Sequence, residues 1–306
     1  MVARDRATRD GAPIDRLVAY GSSQAHSSVE RGARVAGFSR VRLLDVDDVF
    51  ALHPDALRAA IAQDLAAGLV PTIVTSAIGT TGTGAIDPVG DIADIAHKHR
   101  LWHHVDAAWA GSAMLCEEHR RHQAGVERVD SYTFNPHKWL FTNFDCNVLW
   151  VADRAPLIET LSILPAYLRN AASESGEVID YRDWHVPLGR RFRALKLWWV
   201  LRSYGATGLR HHLREHVALA QELGRRVDEH PRLERIAPVS FALVCFRHRD
   251  GNDATDILAA AINRQPTLHI TPSTVDDTRF IRVAIGQTHT TADDLERLWE
   301  TITDAA

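Results

Sequence analysis

Apolar positions along the chain fall into short β-prone runs separated by helical stripes. Leu17-Val18-Ala19-Tyr20 predicts a first strand, turned by Gly21, Ser22 and Ser23, and a helix follows from about His26 to Val35. Val41 to Val46 predicts a second strand, and Pro54 opens a helix whose Leu57, Ile61 and Leu65 share one face. Val70 to Ala77 is almost continuously apolar and β-branched, the pattern of a strand covered on both faces. Asp87-Pro88 supplies an N-cap and first helical position for a helix striped by Val89, Ile92, Ala93 and Ala96. Further strands are expected at Leu101 to Asp106, around Tyr132 and at Val148 to Val151, with a short helix near Glu117 to Gln123. Strands alternating with helices indicate an α/β fold with a mostly parallel, doubly covered sheet and right-handed crossovers. Ligands of such sheets sit beyond the C-terminal ends of the strands.

The rhythm breaks at Leu161 to Asp183, where the small, polar stretch from Asn170 to Gly176 reads as a mobile surface segment. A long helix follows, with Leu188, Phe192, Leu195 and Trp199 on one face, and another runs from Gly205 to about Glu229. The remainder reads as a smaller α+β domain. Its strands are expected near Ala242 to Phe246, Leu268 to Thr271 and Phe280 to Ala284, and its helices near Asp253 and Ala292. Thr291-Ala292-Asp293-Asp294 resembles a capping box. The expected division is an irregular lead over 1–16, a large domain over 17–195 and a small C-terminal domain over 196–306.

Composition narrows the function. At 306 residues, 45% hydrophobic and 24% charged, the chain can bury a large core. The net charge of −4 supplies no strong basic field for nucleic acid or an anionic membrane. No apolar run approaches the ~18 residues of a spanning helix, and the first sixteen residues lack the apolar core of a secretory signal. The three scattered cysteines, Cys116, Cys146 and Cys245, fit reduced thiols in a cytoplasmic protein. Gly79-Thr80-Thr81-Gly82-Thr83-Gly84 is a turn rather than a Walker loop, because no Gly-Lys-Ser/Thr follows.

Candidate chemistry centres on Asn135-Pro136-His137-Lys138-Trp139, just past the β-prone run Ser131-Tyr132-Thr133-Phe134. Pro136 stops the ladder there, having no N–H to donate. A lysine in an apolar-aromatic pocket loses hydration of its ammonium form, and the neutral amine becomes available for a Schiff base. Upstream, Leu101-Trp102-His103-His104-Val105-Asp106 delivers an acid at the end of a buried strand, followed by the small residues Ala107, Ala108, Ala110, Gly111 and Ser112. Alone, Asp106 reads as a helix N-cap and Lys138 as a solvated lysine. Together, each after a strand, they read as a site for pyridoxal phosphate, whose ring nitrogen an acid keeps protonated.

These motifs resemble the group II pyridoxal-phosphate-dependent amino-acid decarboxylases, and among them the aromatic-L-amino-acid decarboxylases. The resemblance runs from Val18 to about Trp299 and includes Gln24-Ala25-His26-Ser27-Ser28, Asn143-Phe144-Asp145-Cys146, Pro165-Ala166-Tyr167-Leu168 and Pro187-Leu188-Gly189-Arg190-Arg191-Phe192-Arg193. It implies the aspartate-aminotransferase-like fold (fold type I), with Lys138 carrying the cofactor and Asp106 on the ring nitrogen. It implies that His26 lies flat on the ring with Ala108 on the other face, that Thr81 belongs to the cofactor pocket, and that Asn135 and His137 lie around the phosphate. Tyr167 matches the lid tyrosine that protonates the substrate Cα after CO₂ leaves, a step needing a positioned acid in a closed site. Relatives that deaminate oxidatively to an aldehyde typically carry phenylalanine there, so Tyr167 favours plain decarboxylation. Gly189 matches a position that is serine in histidine decarboxylases and leaves room for a wider aromatic ring.

The implied activity is decarboxylation of tryptophan, tyrosine or DOPA to the amine. Two alternatives are an aldehyde synthase using O₂, and an inactive fragment that only binds the cofactor or a partner subunit. The resemblance also implies a homodimer. Family members carry a long N-terminal portion before the Tyr20 strand, with a dimer helix pair, a phosphate-binding loop and part of the substrate pocket, for which residues 1–16 are no replacement. Its absence is expected to leave a large apolar surface. His119 with His122, and His212 with His216, have spacings that suit zinc, but no nearby Cys or Glu completes either set and no metal is expected.

Overall fold

The computed structural model describes residues 1–163 and 179–306. Six strands form the central sheet: β1 (Leu17–Ser22), β2 (Arg40–Leu44), β3 (Val70–Ala77), β4 (Trp102–Asp106), β5 (Ser131–Phe134) and β6 (Val148–Val151), in spatial order β2-β1-β3-β4-β5-β6. The first five are parallel, and β6 returns antiparallel to β5. The order reverses at β1, which has β2 on one side and β3 on the other. Loops leaving β1 and β3 therefore part, and a crevice opens at the C-terminal edge.

The helices are α1 (Val2–Arg9), α2 (Ser27–Val35), α3 (Pro54–Ala66), α4 (Val89–Lys98), α5 (Pro136–Trp139), α6 (Ala155–Leu161), α7 (Arg193–Glu229), α8 (Asn252–Asn263) and α9 (Ala292–Ala305). Strand alternation separates the two faces of the sheet. Val18 and Tyr20 pack with Leu57 and Ile61 of α3 and Ile92 and Ile95 of α4. Leu17 and Ala19 face the other way, onto Ala36, Phe38 and Ala7. Each fully buried Leu or Ile there contributes about 1.5–3 kcal/mol.

A second, antiparallel sheet has β7 (Leu233–Arg235), β8 (Leu243–His248), β9 (Thr271–Val275) and β10 (Thr278–Ala284) in the order β7-β8-β10-β9. One apolar cluster joins it to the parallel sheet: Val105, Ala107 and Trp139 pack with Leu213, Val227, Phe246, Leu258, Ile281 and Leu298. α7 breaks at Gly205, whose φ of 64° and ψ of 170° place it outside helical space.

Several expectations are corrected. Residues 1–16 are not irregular: α1 and a 3-10 turn at Ile14–Arg16 occupy them, with Ala3 buried and Arg4 donating to the Ala36 carbonyl at 2.7 Å. Leu188 and Phe192 precede α7 and are exposed. Asp87 does not cap α4, whose N-cap is Pro88. Its buried carboxylate instead accepts from the N–H of Leu52 at 2.7 Å and of Ala77 at 2.6 Å, because those backbone donors have no ladder partner in reach. The capping box is present, with Thr291 and Asp294 satisfying each other's backbone groups.

Burial pushes the Asp87 carboxyl up to about 6, against the two N–H bonds that pull it down. A folded-state value above the unfolded one favours the protonated native form. Its stabilisation is full below about 4 and is lost as pH rises through about 6. Relative to Asp87→Asn, the wild type is expected to lose about 3 kcal/mol between pH 4 and 7. Urea denaturation of both proteins at each pH measures this, and a pH-independent difference would refute it.

Candidate active site

The β4–β5 ladder continues past the ends of the strands. Asp106 is in register with Thr133, Ala107 N donates to Thr133 O at 2.9 Å, and Asn135 N donates to Ala108 O at 2.8 Å. Pro136 then opens α5, whose Lys138 N donates to Asn135 O at 2.9 Å. Asp106 and Lys138 thus leave the C-terminal edge of adjacent parallel strands, joined by consecutive backbone bonds. The residues between are small for a packing reason. A Cβ on Gly111 would lie 2.4 Å from Phe134 Cβ, so only glycine lets the turn after Asp106 lie against β5.

A cavity of about 640 Å³ opens at this edge. One wall is Lys138, His137, Phe141 and Phe144; another is the Gly79–Thr81 turn with Trp109; the third comes from β10 and its exit, through Arg282, Gly286 and Gln287. The turn needs Gly79, which has a φ of +80° and whose Cβ would meet Ala110 Cβ at 2.7 Å. Arg282 Nε and Cys245 Sγ both donate to Gly82 O, at 3.0 and 3.4 Å, clasping the turn from the second sheet.

The expected site residues are distributed unevenly. Lys138, His137 and Thr81 line the cavity. Asp106, Ala108, Asn135, His26 and Gly189 are not among its lining residues. Lys138 is exposed, so its amine faces solvent instead of the closed apolar pocket expected for it. The Asp106 carboxylate is half-buried; Oδ1 accepts from Ala108 N at 2.9 Å, and Oδ2 has no hydrogen bond among the described residues. Beside it the Tyr132 hydroxyl is buried without a partner among the described residues, and burial and the Asp106 charge both raise its pKa. His26 caps α2, its Nδ1 accepting from Ser28 N at 3.2 Å, and its ring is exposed. His137 Nδ1 accepts from Cys146 N at 2.9 Å, and its ring meets Phe144 edge-on. Gly189 is exposed, and a Cβ placed on it would meet no described atom within 4 Å. Tyr167, and the stretch from Asn170 to Gly176, lie outside the described residues.

Sequence reasoning misses Arg282. Its guanidinium is half-buried in the cavity wall, and burial lowers its pKa. The available signal is a charge set between the apolar Ile281 and Val283 of a core strand. The paired histidines hold aromatic contacts instead of metal geometry. His119 and His122 each pack on Phe241, and His212 packs on Phe141 and Tyr204. Among the described residues no group of three or more His, Cys, Asp or Glu could hold a metal ion. No described helix is long and apolar enough to cross a membrane.

Known proteins match this arrangement. The chain is 42% identical over 295 residues to an aromatic-L-amino-acid decarboxylase of Cavia porcellus, covering 96% of this chain and 61% of that protein. It is 39% identical over 319 residues to a phenylacetaldehyde synthase of Arabidopsis thaliana, covering 100% of this chain and 65% of that one. A crystal structure of Oryza sativa TDC with PLP and tryptamine superposes with a TM-score of 0.96 at 40% identity, covering 99% of this chain and 66% of that one. The chain therefore spans less than two thirds of the length of each of these three. The fold is that of the type I pyridoxal-phosphate enzymes. The pyridoxal-dependent decarboxylase conserved domain matches residues 1–249, and the chain belongs to that family.

Proposed function

We propose that the protein decarboxylates aromatic L-amino acids such as tryptophan, tyrosine or DOPA to their amines with pyridoxal phosphate. The observation that carries the reading is the pairing of an amine, Lys138, with a carboxylate, Asp106, at the ends of hydrogen-bonded neighbouring strands. The donor set suits the cofactor: a primary amine for its aldehyde and a carboxylate with one oxygen unengaged among the described residues for its ring nitrogen. When bound, pyridoxal phosphate supplies a sink for the electrons that departing CO₂ leaves behind.

In this reading Lys138 is the residue whose amine would hold the cofactor aldehyde. Asp106 would hold the ring nitrogen of the cofactor protonated, its carboxylate fixed by the Ala108 N–H. His26 would supply an aromatic ring against the cofactor, and Ala108 would leave it room. Thr81, Asn135 and His137 lie around the phosphate. Arg282, bound to Gly82 O through Nε, offers its remaining N–H groups to the substrate carboxylate across the cavity. Tyr167 delivers a proton to the substrate Cα, and Gly189 admits a wide ring.

A tyrosine at 167 favours amine formation over the aldehyde chemistry for which one relative is named. Exposed Phe192, Trp198, Trp199 and Leu201 favour a second copy of the chain as partner. A homodimer is therefore expected in sedimentation velocity, and a monomer at micromolar concentration would exclude it.

Incubating the protein with pyridoxal phosphate and aromatic amino acids tests the main reading. The expected products are CO₂ and amine without hydrogen peroxide. Peroxide would identify an aldehyde synthase, and cofactor binding without turnover an inactive chain. Lys138→Ala is expected to abolish the visible absorbance band that the cofactor gains on bonding an amine; persistence of the band would assign that bond to another residue. Arg282→Gln is expected to raise KM at least tenfold, about 1.4 kcal/mol of lost carboxylate binding. An unchanged KM would remove Arg282 from the substrate.

A further inference from the structure

Lys138 is followed by Trp139, which is fully buried. The Trp139 indole stacks on Trp109, with ring centroids 4.9 Å apart and planes 17° apart, and Trp109 lines the cavity. Its Nε1 donates to His216 Nδ1 at 3.1 Å. His216 belongs to the buried half of α7 and is 1% exposed. The backbone of Gln287, on the opposite cavity wall, hydrogen-bonds the same imidazole. The next residue back, Gly286, lies so close that a Cβ would sit 3.2 Å from Trp139 Cδ1.

The donors fix the tautomer. An indole N–H can only donate, so His216 Nδ1 must be a bare acceptor. The other ring nitrogen then carries the proton, and the Gln287 backbone, which raises the ring's pKa, is the acceptor that faces it. Burial, the largest influence, and His212 hold the ring below its ordinary pKa, while Glu215 and the Gln287 bond pull the other way. His216 is thus a neutral ring that accepts from Trp139 and faces the Gln287 backbone. It does not line the cavity, yet it lies between the segment carrying Lys138 and the segment carrying Gly286 and Gln287.

The geometry points to His216 as a positioning residue that clamps the Lys138-bearing segment to the facing wall of the cofactor cavity through Trp139 and Gln287. The clamp rests on the proposed function for its catalytic meaning, but its mechanical content stands without it. Both walls must keep their spacing for an amine on one and a ligand-binding edge on the other to meet the same molecule.

Three variants of the full chain test it. His216→Leu removes both hydrogen bonds at similar volume. His216→Gln restores one acceptor and one donor. Leu258→Ala truncates the same core away from the clamp and controls for general destabilisation. Hydrogen–deuterium exchange of the cofactor-free proteins is read at residues 135–142 and 284–288. His216→Leu is expected to speed exchange at both segments at least tenfold relative to β1 and β3. His216→Gln is expected to bring it back within about threefold of wild type, and Leu258→Ala to leave the ratio unchanged. In titrations with pyridoxal phosphate, His216→Leu is expected to weaken formation of the visible band at least tenfold, with rescue by Gln.

Exchange in His216→Leu that rises uniformly, or only at one segment, overturns the clamp. So does failure of Gln to rescue either readout. If His216→Leu does not fold, Trp139→Phe, which removes the donor to His216 and keeps an aromatic ring, is read against Leu258→Ala: a local rise at both segments in Trp139→Phe alone supports the clamp, and none overturns it. A wild type that never forms the band refutes the proposed function, and the exchange ratios then decide the clamp by themselves.

Discussion

Two backbone hydrogen bonds beyond the end of a parallel strand pair govern the site. Ala107 to Thr133 and Asn135 to Ala108 carry the β4–β5 register out of the sheet and into the loops. A loop free of that ladder would place its side chains only loosely. Held by it, an acid and an amine distant in sequence leave the sheet from the ends of neighbouring strands. Pro136 ends the ladder and starts a helical turn in the same step, which converts a strand exit into a short rigid mount for Lys138. Gly111 permits the close approach that keeps this mount pressed on the preceding turn.

The cavity is a joint product of two sheets. The parallel sheet contributes the ends of β3, β4 and β5, while the antiparallel sheet contributes Arg282 and the exit of β10. Their relation is set by one continuous apolar cluster around Trp139, not by surface ion pairs, which contribute little in water. Polar contacts at the seam are directional: Arg282 and Cys245 on Gly82, and Trp139 on His216.

Legibility follows the range of the interactions involved. The β3 strand, Val70–Ala77, is readable to the residue, since burial on both faces writes an unbroken apolar run. The capping box at Thr291 is readable because its partners are three residues apart. Asp87 misleads because its partners, Leu52 and Ala77, are brought to it by tertiary structure, and a cap-like Asp-Pro looks the same either way. Helix α1 escapes a sequence reading because its buried contact is a single alanine and its sequence is charged. At the site, residue types and their places after strands are legible for Asp106 and Lys138. Arg282 is hidden, since nothing local tells a strand arginine on a cavity wall from one in solvent.

The break at Gly205 gives α7 two separate mechanical lives. Before it, Leu195, Trp198, Trp199 and Leu201 are exposed; after it, Leu209, Leu213, His216 and Leu223 are sealed in the core. A continuous helix would transmit any bend or rotation of its outer half straight into the interior. At a backbone conformation that only glycine adopts readily, that lever arm is cut. The exposed outer half and the sealed inner half are thus two rigid rods joined at one residue, not a single rod.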